Sequence, residues 1–290
     1  MNSKKLFSTL LVALFLIGNI FAQELITAKD FVELQKENPN VVLIDASKDK
    51  LYTQAHVDGA INIPYAELND NNSDISGLLL PVDQVAEFLG KKGVAADDTI
   101  VVYDEGSQKY STRVYWVLKY LGATNVKLMH KNMNDFRKAR VKLTSAVPSV
   151  TAKTFNVTLN NDVFADAAYV ESMLNDPNVV LIDARTPGEF DGTYDGNGAY
   201  SVGHIPGAVN IPYESIVKGD DHNFICADEF ASLAPNVEFT PEKQYIVYCK
   251  TGVKGSTMYA FLKNVMGFEN VKMFEGSYLE WAALNKPIEK

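Results

Sequence analysis

Apolar residues along this chain fall into two kinds of run. Short unbroken stretches rich in β-branched residues, "VVLID" at 41–45, "TIVVY" at 99–103 and "YIVY" at 245–248, predict strands buried on both faces. Elsewhere the spacing changes: Val114, Val117, Leu118 and Leu121 recur at helical intervals, as do Met258, Phe261, Leu262 and Val265. Each set predicts a helix laying one apolar face on a sheet. Strands alternating with helices predict an α/β fold with a mainly parallel sheet flanked by helices.

The pattern also repeats. "PNVVLIDA" at 39–46 recurs unchanged at 177–184, and "HVDGAINIPY" at 56–65 returns as "HIPGAVNIPY" at 204–213. "VYD" at 102–104 then matches "VYC" at 247–249, and "LGATNVKLM" at 121–129 matches "MGFENVKMF" at 266–274. A unit of this length is too long for a solenoid and fits two tandem domains of one fold. The expected organisation is a first domain at 23–143, a linker within "TSAVPSVTAKT" at 144–154, and a second domain at 155–290.

Composition adds compartment and partner. Two lysines, an apolar run from Leu6 to Phe21 and a small residue at Ala22 predict a secretory signal peptide at 1–22, and so a periplasmic or secreted protein. That run is shorter than a membrane span requires and includes Ser8, Thr9, Gly18 and Asn19. The formal net charge of −9 argues against nucleic acid or an anionic membrane as partner. Small molecules are the expected partners, and a monomer the expected state. The only cysteines are Cys226 and Cys249, so a single disulfide pairing is open to them.

Cys249 opens "CKTGVKGS", between a predicted strand ending at Tyr248 and a helix expected to begin near Gly255. Ligands of parallel sheets bind beyond the carboxyl ends of the strands, which is where this loop lies. A helix N-terminus has unpaired N–H groups and partial positive charge, which stabilise a thiolate. Gly252 and Gly255 allow a tight turn, and Lys250 and Lys254 add positive charge. The alternative is a buried thiol that merely packs at the end of a strand. In the first copy the same position is Asp104, which cannot act as a sulfur nucleophile, so only the second copy is expected to be active.

These residues resemble the two-domain rhodanese family, the thiosulfate and mercaptopyruvate sulfurtransferases. The resemblance rests on "YSVGHIPGAVNI" at 200–211, on "VKMFEGSYLEW" at 271–281 with Tyr278 where tryptophan or phenylalanine is usual, and on Cys249 through Lys254 as the active loop. Lys254 departs from the arginine or threonine usual at that loop's last position. The resemblance implies two rhodanese-like domains, a Cys249 persulfide cradled by backbone N–H groups of Lys250, Thr251, Gly252, Val253, Lys254 and Gly255, and no cofactor. It also implies that Arg185 binds the substrate anion, with Ser47 as its counterpart in the first domain. Lys250 and Lys254 favour dianionic thiosulfate as sulfur donor, cyanide or a thiol being the acceptor; mercaptopyruvate remains the alternative donor.

Other conspicuous residues have plainer readings. His56 and His204 recur in both copies, which predicts a role in the turn, as do Asp45 and Asp183 at strand ends. Glu189 is expected to orient Arg185, and Trp281 with Phe274 to pack the core. Cys226 is a bystander, a resolving thiol or a partner for Cys249. No histidine or cysteine pair has metal-ligand spacing. Two other function classes fit a cysteine loop on this fold: a phosphatase, whose loop would be one residue longer and end in arginine, and a non-catalytic exported binding module.

Overall fold

The computed structural model describes residues 24–129, 133–196, 198, 200–219 and 222–290. The predicted signal peptide at 1–22 lies outside the described residues. In the first domain the strands are β1 (Leu25–Ile26), β2 (Val42–Asp45), β3 (His56–Val57), β4 (Ile61–Asn62), β5 (Thr99–Tyr103), β6 (Asn125–Met129) and β7 (Leu143–Thr144). Its helices are α1 (Ala28–Glu37), α2 (Asp49–Tyr52), α3 (Val82–Lys91), α4 (Lys109–Tyr120) and α5 (Met133–Lys138). The second domain contributes β8 (Phe164–Ala165), β9 (Val179–Asp183), β10 (Val209–Asn210), β11 (Val217–Lys218), β12 (Asn223–Phe224), β13 (Gln244–Tyr248) and β14 (Val271–Phe274). With these come α6 (Ala167–Met173), α7 (Pro187–Phe190), α8 (Ala227–Leu233), α9 (Val253–Asn264) and α10 (Ser277–Ala283).

The duplication read from the sequence is a duplication of topology. One five-stranded sheet has the order β1-β6-β5-β2-β4 and the other β10-β9-β13-β14-β8, with every neighbouring pair parallel. Register places the site. Tyr248 lies opposite Asp183, so Cys249, one residue on, and Arg185, two residues on, both leave the sheet at its carboxyl edge. Tyr103 lies opposite Asp45 in the same way, which brings Asp104 beside Ser47 in the first domain.

The helices after β5 and β13 depart from the expected one-faced pattern. Tyr115, Trp116, Tyr259 and Ala260, off the periodic stripes, are fully buried because α4 and α9 pack against each other across the domain boundary. Thr112 Oγ1 and Thr257 Oγ1 meet there at 2.9 Å, and one core cluster continues through both domains. An amphipathic helix predicts burial on one side; these bury a second side against the sister copy.

Thr144, placed in the linker by its sequence context, belongs to β7, and the chain then runs without helix or strand from 145 to 163. This segment is tied to the first domain by Lys153 N–H to Gly90 O (2.9 Å) and Thr158 N–H to Leu121 O (3.1 Å), with Phe155 buried in the shared core. A strap so bonded holds the two domains in one arrangement.

Candidate active site

Cys249 is 2% exposed and lines a cavity of about 270 Å³. The walls come from both domains: Arg185, Glu189, Lys250, Thr251, Val253 and Lys254 from the second, Tyr65, Lys109 and Tyr110 from the first. Helix α9 begins at Val253, two residues earlier than the sequence suggested, because Gly252 caps it with φ +83°. A left-handed cap brings the first turn of the helix under the sulfur-bearing residue.

The direction of the loop's N–H groups follows from its carbonyls. Tyr278 N–H donates to Cys249 O (3.0 Å) and Leu279 N–H to Lys250 O (3.2 Å), so the start of α10 binds both. In a planar trans peptide the next N–H points oppositely, and the described residues hold no cis bond, so the N–H groups of Lys250 and Thr251 face away from α10. The Cys249 N–H is itself held by Ser277 Oγ at 3.3 Å. Ser277 has φ +52°, a costly conformation for a residue with a side chain, at the brace of the loop.

The first domain displays the same cradle filled. The Asp104 carboxylate accepts N–H donors from Gly106 (2.8 Å), Gln108 (3.1 Å), Tyr110 (3.1 Å) and Ser111 (3.0 Å). Gln108 caps α4 as Gly252 caps α9, and Thr112 N–H bonds to Gln108 O as Ser256 N–H bonds to Gly252 O. Matched at their caps, Gln108, Tyr110 and Ser111 correspond to Gly252, Lys254 and Gly255. Those three N–H groups in the second domain therefore occupy positions that, in the first, converge on an anion. The first copy has no sulfur at this position, and its own side chain occupies the place where the N–H groups converge. Its loop is one residue longer between strand end and cap, which makes room for that carboxylate.

Arg185 is placed by Asp183, not by Glu189. Arg185 Nε donates to both Asp183 oxygens at 3.0 Å and Nη2 to Oδ2 at 2.6 Å, while Nη2 also reaches Gly203 O at 2.8 Å. Desolvation opposes the guanidinium charge, but the hydrogen bonds and charge of Asp183 outweigh it and hold the group above its ordinary pKa. The guanidinium lies 3.8 Å from the Tyr278 ring centroid. Tyr278, the departure within the C-terminal motif, is thus the floor beneath the arginine. Glu189 caps α7 instead, accepting from Thr186 N–H and Oγ1 in a capping box. Asp45 has Ser47 where Asp183 has Arg185, and burial pushes its carboxyl up.

The lysines are differently engaged. Lys254 pairs with Glu214 at 2.7 Å beside the Tyr213 ring, so its charge is shared before any substrate arrives. Lys250 lines the cavity with its ammonium donating to Gly196 O. His56 and His204 have structural surroundings: His56 stacks on Tyr52 and bonds to its carbonyl at 2.8 Å, and His204 does the same with Phe190 at 2.9 Å. Phe274 and Trp281 pack edge to face in the core, as their sequence positions suggested. Cys226 is an exposed cap residue of α8 and both thiols are free, so the possible bridge is not formed.

Domain profiles of rhodanese-like proteins match residues 27–139 and 166–284, one over each sheet. The chain belongs to the rhodanese family. A sulfur carrier protein of Thermus thermophilus, TtuD, is 28% identical over 281 residues, covering 92% of this chain and 97% of its own. A thiosulfate sulfurtransferase of Corynebacterium glutamicum is 28% identical over 277 residues, with coverages of 92% and 90%. The fold is shared with SseA from Escherichia coli, a 3-mercaptopyruvate sulfurtransferase by its description (TM-score 0.76, 23% identity, 88% and 99% coverage). It is shared also with Tum1 from Saccharomyces cerevisiae (TM-score 0.82, 23% identity, 91% and 96% coverage).

In this rhodanese the first domain reaches the back of the Cys249 loop. Arg113 of α4, fully buried, pairs with Glu275 at 2.8 Å, and Glu275 also accepts Leu79 N–H at 3.0 Å. A Cβ on Gly252 would come within 2.7 Å of Arg113 Nη1 and 3.0 Å of Glu275 O. Gly252→Ala is therefore expected to cost about 1–3 kcal/mol of stability and to slow turnover by shifting the cradle, measured by denaturant unfolding and steady-state rates. Gln108 adopts the same left-handed cap in the first domain, so crowding by Arg113 decides the size of the effect.

A second expectation concerns pH. Glu280 of α10 is pushed up from 4.5 to about 7, first by burial and then by the charges of Glu275 and Asp166. The folded state holds the proton more tightly than the unfolded chain, so stability falls as pH rises from about 4.5 to about 7. Glu280→Gln should flatten that part of the pH profile of Tm, and an unchanged profile would show that Glu280 does not set it.

Proposed function

We propose that the chain is a sulfurtransferase that carries sulfane sulfur on Cys249, with thiosulfate as donor. The observation that carries this reading is the position of Cys249 in a two-domain cavity, above a loop whose N–H groups match those that hold an anion in the sister copy. In the first half-reaction the thiolate attacks the outer sulfur of thiosulfate, the S–S bond of the donor breaks, and sulfite departs with the bonding pair. Asp183 and Gly203 O take the Nε and Nη2 donors of Arg185, which leaves its charge and its Nη1 donors for the departing oxyanion. The persulfide anion then rests on the N–H groups of the loop, which stabilise charge where it develops. In the second half-reaction an acceptor, cyanide or a thiolate, takes the outer sulfur and Cys249 is regenerated.

Lys250 and Arg185 support thiosulfate over mercaptopyruvate, whereas the pairing of Lys254 with Glu214 takes that lysine out of the charge argument. A phosphatase is disfavoured by the short loop and by Lys254 in place of a loop-closing arginine. The test is saturable formation of thiocyanate from thiosulfate and cyanide, with kcat/KM for thiosulfate above that for mercaptopyruvate. Hydrolysis of an aryl phosphate without sulfur transfer would defeat the reading. We also propose export, supported by the apolar run Leu6–Phe21; a mature N-terminus at Gln23 in an exported fraction tests it.

A further inference from the structure

The mechanism above uses one wall of the cavity. The other wall is built by the domain that has no nucleophile, and its chemistry is specific. Lys109 is the first residue of α4, and its ammonium lies 5.7 Å from the Tyr110 ring centroid and 5.8 Å from that of Tyr213. Among the described residues it makes no ion pair with a carboxylate. The cations of the opposite wall are engaged already: Arg185 by Asp183, Lys254 by Glu214 and Lys250 by the Gly196 carbonyl. Among the described residues, Lys109 lines the cavity with ring faces beside its ammonium and no carboxylate paired to it.

Its position is fixed. Tyr110 N–H is anchored on the Asp104 carboxylate, the Tyr110 ring stacks on Tyr65 at 4.8 Å, and Tyr213 Oη donates to Ser107 O at 2.6 Å, stitching the loop before α4 to the second domain. Asp104 thus does more than fill an old anion site: it holds the turn that presents Lys109 and Tyr110 to Cys249. Cys249 and the first-domain residues Tyr65, Lys109 and Tyr110 line the same cavity, so a molecule that reaches the sulfur there meets that wall.

We propose that Lys109, with the stacked pair Tyr65 and Tyr110, is the acceptor-recognition element, and that the acceptor it selects is a small thiol carrying a carboxylate. This rests on the sulfurtransferase reading. The thiol's carboxylate sits on the Lys109 ammonium, its carbon skeleton lies against the tyrosine faces, and its thiolate attacks the outer sulfur. The bond between Cys249 sulfur and outer sulfur breaks, a bond to the acceptor sulfur forms, and the products are the acceptor persulfide anion and the Cys249 thiolate. Charge and electrons balance with no other reactant.

Two measurements test it. In steady state with thiosulfate, mercaptoacetate and uncharged 2-mercaptoethanol are compared as acceptors for wild type, Lys109→Ala and Lys109→Glu. The wild type should prefer the anionic thiol in KM, Lys109→Ala should reduce that preference about tenfold, and Lys109→Glu should reverse it. An acceptor preference equal in all three proteins would overturn the proposal. Calorimetric binding of the unreactive S-methyl ethers of the two thiols needs no turnover and so separates this idea from the sulfurtransferase reading. Weaker binding of the charged ether to Lys109→Ala supports it even in a protein that transfers no sulfur, and equal binding of that ether to both proteins refutes it.

Discussion

Cys249→Ser is expected to lower sulfur transfer by at least about a thousandfold while leaving the fold intact. The hydroxyl has nearly the shape of the thiol, and the cavity, the braced loop and the interdomain contacts stay in place. What disappears is the atom that forms the bond to the sulfane sulfur, and removing a covalent nucleophile leaves only the residual acceleration from binding and electrostatics. Thiocyanate formation measures the loss, and an unchanged Tm shows that it is chemical. Cys226→Ser, at an exposed cap on α8, should leave the rate within twofold.

Arg185→Ala is expected to be large in two ways that can be separated. The side chain of Asp183 has no solvent exposure and that of Arg185 only 3%, so truncating the arginine strands a buried carboxylate. Breaking such a pair costs about 3–5 kcal/mol, seen as a fall in the denaturant midpoint. The same change removes the guanidinium charge and the Nη1 donors left for the sulfur donor, and the KM for thiosulfate should rise at least about tenfold. Arg185→Lys divides the two effects. It keeps a cation beside Asp183 and should recover much of the stability, but one ammonium cannot bond Asp183 and also present the donors that Nη1 offers the substrate, so it should keep the raised KM. Full recovery of both would mean that charge alone is needed there.

Much of this architecture was legible in the chain. The strand runs, the duplication and the place of Cys249 follow from short-range pattern, because register in a parallel sheet carries strand-end residues to a common edge, whereas Arg185 comes only from the family resemblance. Residues placed by packing between the copies were not legible. Tyr115 and Tyr259 interrupt their helical stripes, and only the α4–α9 contact explains their burial. Lys109, Tyr110 and Tyr65 belong to the copy without a nucleophile, so nothing in their own neighbourhood points to chemistry. The roles of Glu189 and Asp183 were exchanged for a similar reason: sequence proximity suggested the first, whereas strand position and burial select the second. Asp104 could be read as a missing nucleophile, but not as the occupant of an anion site, since the one-residue difference between the loops lies between well-matched flanks. A signal was available there: "DEGSQKYS" against "CKTGVKGS" places the glycines differently, and a glycine at a helix cap sets the length of the turn.

The central claim is that Cys249 carries the transferred sulfur. The direct measurement is intact-protein mass of reduced enzyme after brief exposure to thiosulfate without acceptor, followed by peptide mapping. The expected result is a gain of one sulfur atom, located on the peptide containing Cys249, reversed by cyanide and missing in Cys249→Ser. A protein that gains no sulfur, or gains it on Cys226 instead, would contradict the account.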